Sequence, residues 1–364
     1  MNILQITSGR GVNGALVYCK LLTEILAERG HRLTILCRGG WMKSHSYGEN
    51  IEVIESPMTR FPASELKRVS EIVRRKKIDL IHTHQTRAHT FGVMLKMRTG
   101  VPVIATAHNR RFHLHWNLND FVIANSHATH DFHRRVSMVP ESKMKTVYCF
   151  SDFTDFQGVD RASASNLIRQ RHRLEEDDFL VTVVGQVAPR KGQHVLFQGI
   201  QQLIDAIPNL KILLVGRFGR RQKYAKKLRA FLVDNDLLGR VKWLGRRDDV
   251  ANYMGASQLV CIPSIEEPLG LMALEAMTVG TPVVATDTGG LSEIVQNGKT
   301  GLSVESGDAS SLANATIRLA RDPELASELV AGGKSFVAEN FRPEPLVDQV
   351  ELVYQRITQQ RQAA

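Results

Sequence analysis

Cysteine is scarce in this chain, with four in 364 residues. Cys19, Cys37, Cys149 and Cys261 are scattered and form no CxxC pair. That leaves no disulfide framework and no sulfur-based metal site, and it fits a reduced interior. Long hydrophobic runs are missing too: none reaches the roughly 18 residues of a membrane span. The opening segment, Met1-Asn-Ile-Leu-Gln-Ile-Thr7, has neither a basic flank nor a long apolar centre. It reads as a first strand rather than a signal peptide, so the expected location is the cytoplasm. No Walker loop and no nucleophile elbow is present. No DxD element sits in a glycine- or strand-bounded context, because Asp248-Asp249 suits a helix start. No short repeat or low-complexity tract interrupts the chain.

Acidic charge is also short, but only in one half. Residues 1–155 carry 22 Lys and Arg against 13 Asp and Glu, and the remainder carries 25 against 24. The excess is densest at Lys67-Arg68 and Arg74-Arg75-Lys76-Lys77, with Arg87, Lys96, Arg98, Arg110 and Arg111 following. Such a run is either a solvated helix face or a patch for an anionic partner, such as the inner face of a membrane or an acidic glycolipid. Nucleic acid ranks last, since no binding motif accompanies the charge.

What is present is a globular α/β pattern, with 43% hydrophobic and 23% charged residues. The length favours two domains over one core. Short apolar runs alternate with helical periodicity. Strands are expected at residues 3–7, 32–37, 51–55, 80–84, 101–107, 121–124 and 146–149. After a polar linker at 151–159 they resume at 180–185, 210–216, 241–244, 259–263 and 282–286. Basic amphipathic helices are expected at 65–76 and 222–235, and long helices at 194–207, 310–321, 324–340 and 345–360. Alternation of this kind predicts two Rossmann-like, doubly wound parallel sheets facing a central crevice.

Several segments carry candidate chemistry. Ser264 to Ala276 reads S-I-E-E-P-L-G-L-M-A-L-E-A, with Glu267 and Glu275 eight positions apart around Gly270. It follows an apolar strand and opens a helix, so unpaired N–H groups and the positive end of the helix dipole form an anion site there. A second strand-to-helix turn, Gly185-Gln186-Val-Ala-Pro-Arg190-Lys191-Gly192, places a lysine where it can neutralise phosphate. Gly9-Arg-Gly11-Val-Asn-Gly14 has GxGxxG spacing, but the second strand ends in Arg38 with no acid for a ribose. An NADP-dependent oxidoreductase is therefore one alternative, and a loop that approaches a diphosphate or acceptor is another. Eleven of the thirteen histidines precede residue 134. His82 and His84 share one strand face and His108 ends the next strand. No third ligand has convincing spacing, so no metal is expected.

Taken together these segments resemble the retaining glycosyltransferases of family 4, which have the GT-B fold. Glu267 and Glu275 carry the resemblance in S-x-x-E-x-x-G-L-x-x-L-E-A form. Gly185…Lys191-Gly192, Val215-Gly216, Trp243-Leu244-Gly245, Gly280-Thr-Pro-Val-Val-Ala285 and Gly289-Gly290 support it, as do Asp79 to His84 and Gly100 to His108 in the first half. The resemblance implies an N-terminal acceptor-binding domain over 1–155 and a nucleotide-sugar domain over 156–344. The helix 345–362 would pack back on the first. It also implies metal-independent transfer from a nucleoside-diphosphate sugar, with UDP the expected carrier, to a glycan or lipid-linked acceptor. No cofactor is called for, because the nucleotide sugar is a substrate. The expected process is polysaccharide or lipopolysaccharide synthesis, with the protein in the cytoplasm or peripheral on the membrane.

The implied roles are specific. Glu275 would accept bonds from the ribose hydroxyls and Glu267 would meet the donor sugar. Amides near Gly270, Leu271 and Met272 would hold phosphate or sugar oxygens. Lys191 would stabilise the departing diphosphate and His108 would approach the transferred sugar. Gly14, Gln186, Arg190, Gly216 and Leu244 complete the donor set. Gln186 stands where the family usually has arginine, so either Arg190 substitutes or the phosphate site is weaker. A non-catalytic sugar- or membrane-binding relative is the further alternative.

Overall fold

The computed structural model describes residues 1–58, 63–218 and 222–362. The chain divides into two compact units, Met1–Asp152 with Phe341–Ala364, and Phe153–Asn340. Each is built on one wholly parallel sheet.

In the first unit the strands are β1 Asn2–Thr7, β2 Arg32–Cys37, β3 Ile51–Glu55, β4 Leu80–His84, β5 Val103–Ala107, β6 Phe121–Ala124 and β7 Met144–Thr146. They lie in the order β3-β2-β1-β4-β5-β6-β7. The order reverses between β1 and β4, the point at which open α/β sheets leave room for a ligand at the strands' C-terminal ends. β4 and β5 are fully buried, as central strands between helix layers should be, although β4 (Leu-Ile-His-Thr-His) carries three polar side chains. The final helix, Pro343–Gln362, belongs to this unit. Arg29 anchors it through Asp348 (2.6 Å) and Glu351, and Glu351 also meets His31 at 2.8 Å.

The second unit has β8 Phe179–Val184, β9 Leu210–Val215, β10 Val241–Gly245, β11 Leu259–Ile262, β12 Val283–Asp287 and β13 Leu302–Glu305, in the order β10-β9-β8-β11-β12-β13. Its core joins Val181, Ile212 and Leu214 of the sheet to Leu196, Leu203 and Leu312 of the helices.

Several elements differ from the sequence expectation, each for a physical reason. The helix expected over 194–207 is broken into Gln193–Gln198 and Ile200–Ala206. A Cβ at Gly199 would sit 2.6 Å from the Ala309 carbonyl, so a neighbouring helix presses on the backbone there. Helices His127–Arg135 and Arg161–His172 have too few apolar residues for a periodic signal. They are set instead by caps, Ser126 accepting from the Thr129 N–H and Asp160 from Ala162 and Ser163. The last strand of the first sheet is Met144–Thr146, earlier than 146–149, and β13 is a strand that the pattern does not predict. Residues 151–159 are not wholly irregular, for they contain a helical turn, Thr154–Gln157.

Candidate active site

In the second unit, three neighbouring strands each end in a glycine: Gly185 after β8, Gly216 after β9 and Gly245 closing β10. Backbone bonds stitch them together, Gly185 N–H to Val215 (2.9 Å) and Gly216 N–H to Gly245 (2.8 Å). Gly185 has φ +142°, and a Cβ on Gly216 would lie 1.8 Å from the Gly185 carbonyl. No side chain fits at Gly216, and all three glycines hold a positive φ that disfavours other residues.

The Pro189–Lys191 turn folds over that edge and Gly192 follows in the left-handed region, φ +66°. A Cβ there would meet the Pro263 carbonyl at 1.6 Å. The turn is therefore pressed backbone to backbone against the end of β11. Ile265 and Glu266 both donate their N–H groups to the Arg190 carbonyl, at 2.8 and 3.1 Å. This clamp aligns two side chains far apart in sequence. Lys191 Nζ forms an ion pair with Glu267 Oε2, and each side chain is only 11% exposed. The Lys191 stem lies over Gly185, with Cε 3.5 Å from where a Cβ would stand. Ser264 Oγ donates to the same Glu267 oxygen at 3.2 Å. Gly290 N–H donates to the Glu267 carbonyl at 3.1 Å, which brings in the Gly289-Gly290 turn.

Gly270 (φ +104°) caps the helix Leu271–Val279. Leu271 and Met272 supply first-turn amides that no carbonyl inside the helix can satisfy. Glu275 lies in the second turn and is buried. Gln186 is half-buried, and its carbonyl accepts from Gln193 Nε2 at 3.1 Å. The Arg190 guanidinium has no ion-pair partner among the described residues. Leu244 points its side chain into a cluster with Leu180, Leu213 and Tyr253, so only its backbone is placed for a ligand. Sequence reasoning gives no weight to Phe218, whose ring is half-exposed and stacks on Trp243 at 5.8 Å.

The first unit gathers its histidines differently. His84 ends β4, His108 follows β5, and both join a buried network. Neutral rings fit one consistent assignment. The Cys149 thiol donates to His108 Nδ1 (3.7 Å), His108 Nε2–H to His84 Nδ1 (3.1 Å), and His84 Nε2–H to Gln5 Oε1 (2.9 Å). Gln5 then donates to Tyr354 (3.4 Å), Tyr354 to His82 Nδ1 (2.6 Å), and His82 to Thr106 (2.7 Å). Burial holds His82 and His108 down to about 3 and His84 well below the usual range, so the chain of bonds is uncharged near neutrality. All ring nitrogens of His82, His84 and His108 are thereby engaged. His108 faces its neighbours, and reaching a sugar with a ring nitrogen requires it to give up one bond. Tyr18 packs edge-on against His84 and His108, and its buried hydroxyl has no partner among the described residues.

Gly14 opens the first helix, capped by Asn13 Oδ1 accepting from Leu16. A Cβ on Gly9 would crowd Gln85 and Leu16 at 2.9 Å, so this glycine serves loop packing. Arg38 Nε donates to the Pro57 carbonyl at 3.1 Å.

Two family models match the chain, "Glycosyltransferase Family 4" over residues 12–154 and "Glycosyl transferases group 1" over 165–336. The chain is a glycosyltransferase of the family 4 type, with the GT-B fold. Family membership replaces the oxidoreductase alternative. The glycosyltransferase is 26% identical to N-acetyl-alpha-D-glucosaminyl L-malate synthase of Bacillus anthracis, over 96% of each chain. It is 29% identical to D-inositol 3-phosphate glycosyltransferase of Rhodococcus jostii, over 74% of this chain and 64% of that one. HepE of Anabaena, solved with UDP, shares the fold with a TM-score of 0.85 at 23% identity, over 98% of this chain and 100% of that one.

Proposed function

We propose that this glycosyltransferase moves a sugar from a nucleoside-diphosphate donor, with uridine the favoured base, to a hydroxyl of a glycan or lipid-linked acceptor, with retention at the anomeric carbon. The observation that carries the donor side is the Lys191–Glu267 pair held over Gly185 at the glycine-lined strand ends. An ammonium has three donors, and Glu267 takes one. Two remain for the oxygens of a leaving diphosphate, already aimed before the charge develops. Glu267 receives Lys191 and Ser264 on Oε2, which leaves Oε1 to accept from a donor-sugar hydroxyl. Amides of Leu271 and Met272 would hold phosphate oxygens, and Glu275 the ribose. HepE has also been solved with UDP-glucose, which supports a UDP-sugar as donor.

In this reading no carboxylate becomes a covalent nucleophile. The acceptor hydroxyl attacks from the face the diphosphate leaves, and its proton passes to the leaving phosphate. Lys191, with Arg190 and the helix N-terminus, supplies the cationic stabilisation, and no metal is needed. The first unit binds the acceptor; Tyr18 and the region of His108 are its candidate contacts. Its basic charge suits an acceptor in cell-surface polysaccharide or lipopolysaccharide synthesis, handled at the cytoplasmic face of a membrane.

Thermal-shift titration with UDP, GDP and ADP tests the donor assignment. UDP should raise Tm most, since a ligand at 100 times its Kd adds about 2.7 kcal/mol. If none of the three shifts Tm, the donor reading fails. Transfer from the matching sugar nucleotide, followed by the anomeric configuration of the product, tests retention.

A further inference from the structure

The net positive charge of the molecule lies in one unit. Met1–Asp152 with Phe341–Ala364 holds 25 Lys and Arg against 15 Asp and Glu, while Phe153–Asn340 holds 22 of each. Topology concentrates that excess further. In the first unit's parallel sheet every helix that follows a strand runs back toward the strands' N-terminal ends. The basic ends of three such helices therefore collect at one edge: Arg74 and Arg75, Lys96 and Arg98, Arg134 and Arg135. Arg74 reaches the Arg98 carbonyl at 3.3 Å, which ties the first two together. One bland account is that cations simply complement helix C-termini. It does not explain what else lies at this edge.

A cavity of about 550 Å³ opens there, beneath the starts of β5, β6 and β7. Gly100, Pro102, Asp120 and Ser142 line it, together with the cations Lys96, Lys143, Arg356 and Arg361. Lys96 is held by Asp120 at 2.7 Å. Arg356 donates to the Ser142 carbonyl at 3.1 Å and lies over the Phe121 ring at 5.5 Å. Lys143 and Arg361 are exposed and have no ion-pair partner among the described residues. The single carboxylate thus leaves three positive charges around one cavity. Its neighbourhood is also apolar. Met97 is 81% exposed, Leu118 54% and Met138 72%. Lys96 Nζ bonds the Leu118 carbonyl at 3.1 Å, and Asn117 bonds Ser137, beside Met138, at 2.7 Å. Exposed methionine and leucine set among cations suit the headgroup boundary of a bilayer better than open water.

We infer that this edge of the first unit docks on an anionic phospholipid surface, with the Lys143–Arg361 cavity receiving a headgroup phosphate and Met97, Leu118 and Met138 reaching the acyl boundary. The inference rests on the proposed membrane-side function for its biological setting, and on the cavity and charge for its physics. It has a consequence for the acceptor. His84 and His108 lie at the opposite ends of strands five residues long, about 17 Å away. A lipid-linked acceptor must then carry its accepting hydroxyl clear of the headgroup layer.

Vesicle co-sedimentation of the full chain tests this. Binding is expected to vesicles of phosphatidylglycerol with phosphatidylcholine, not to phosphatidylcholine alone, and is expected to fall as salt rises. K143E with R361E should weaken binding by roughly 30-fold or more, from about 1 kcal/mol per basic residue. M97S should weaken it by a smaller factor at unchanged salt dependence. Unaltered binding by the double variant overturns the cavity, and equal binding to neutral vesicles overturns the electrostatics. If inorganic phosphate raises Tm through Lys143 and Arg361 while vesicles do not bind, the site takes soluble phosphate and the lipid assignment falls. The UDP thermal shift is read on the same variants. Its retention separates a failure of docking from a failure of the donor site.

Discussion

The two units use one architecture for opposite ends. In Phe153–Asn340 the strand ends are stripped to glycine, backbone packs against backbone, and one lysine–glutamate pair is left over the gap. In the other unit the strand ends are filled by rings, and histidines, glutamine and tyrosine satisfy one another without charge. The first arrangement makes room and presents charge, as a phosphate-bearing ligand needs. The second ties His82, His84 and His108 to one another and to Gln5 and Tyr354, while the Tyr18 hydroxyl beside them has no partner among the described residues. The contrast also explains where pH should act, because the fully buried histidines among the described residues, including His82, His84 and His89, lie in the histidine-filled unit.

Gly192→Ala should break the contrast most severely. Its Cβ would require a shift of the Pro263 backbone at a φ that alanine disfavours, so a loss of more than about 4 kcal/mol is expected. Gly298→Ala, also at positive φ but facing open space, should cost only about 1 kcal/mol. Denaturant midpoints of the two variants measure the difference.

Lys191→Ala comes next. Losing a preorganised cation should lower transfer by roughly 100- to 1,000-fold, about 3–4 kcal/mol of transition-state stabilisation. Hydrogen exchange in the first unit should not change. A variant that keeps full turnover removes Lys191 from the reaction.

Acidification should act on the other unit. His82 is fully buried with its pKa held to about 3, against about 6.5 in the unfolded chain. Its folded form binds the proton less readily, so stability is full above about pH 6.5 and falls as pH drops toward 3. The slope is about 1.4 kcal/mol per pH unit for one such histidine, and His84 adds in the same direction. Unfolding free energy measured from pH 7.5 to 5 should show it, and His82→Gln should flatten the slope. Exchange should rise first at β4 and β5. A decline centred on the second unit would reverse the comparison.

The smallest expected effect is none. Chelation by EDTA should leave transfer unchanged if Lys191, Arg190 and the helix N-terminus carry the leaving charge. A loss restored by magnesium would assign that work to a metal.

The strand-to-helix turns proposed as the donor side were largely legible because they are written in short contiguous segments. Gly185 to Gly192 and Ser264 to Glu275 are each a strand, a turn and a helix start, and local chemistry specifies them. Their mutual clamp was not legible, since Lys191 and Glu267 are 76 residues apart. The histidine network of the first unit was less so. Gln5 and Tyr354 meet across 349 residues, and neither has a motif around it. Leu244 matched a family pattern, yet its side chain belongs to the core.

By itself the sequence determined the parallel α/β class, the carboxylate spacing and the surplus of positive charge. Those follow from periodicity, turn chemistry and composition, which are local or summed quantities. Tertiary structure decided which groups neutralise one another and which edge carries the remaining charge. Lys191 faces a carboxylate, His108 is tied inward, and Lys143 meets Arg361 around a cavity only because parallel strands bring distant segments to the same end of a sheet.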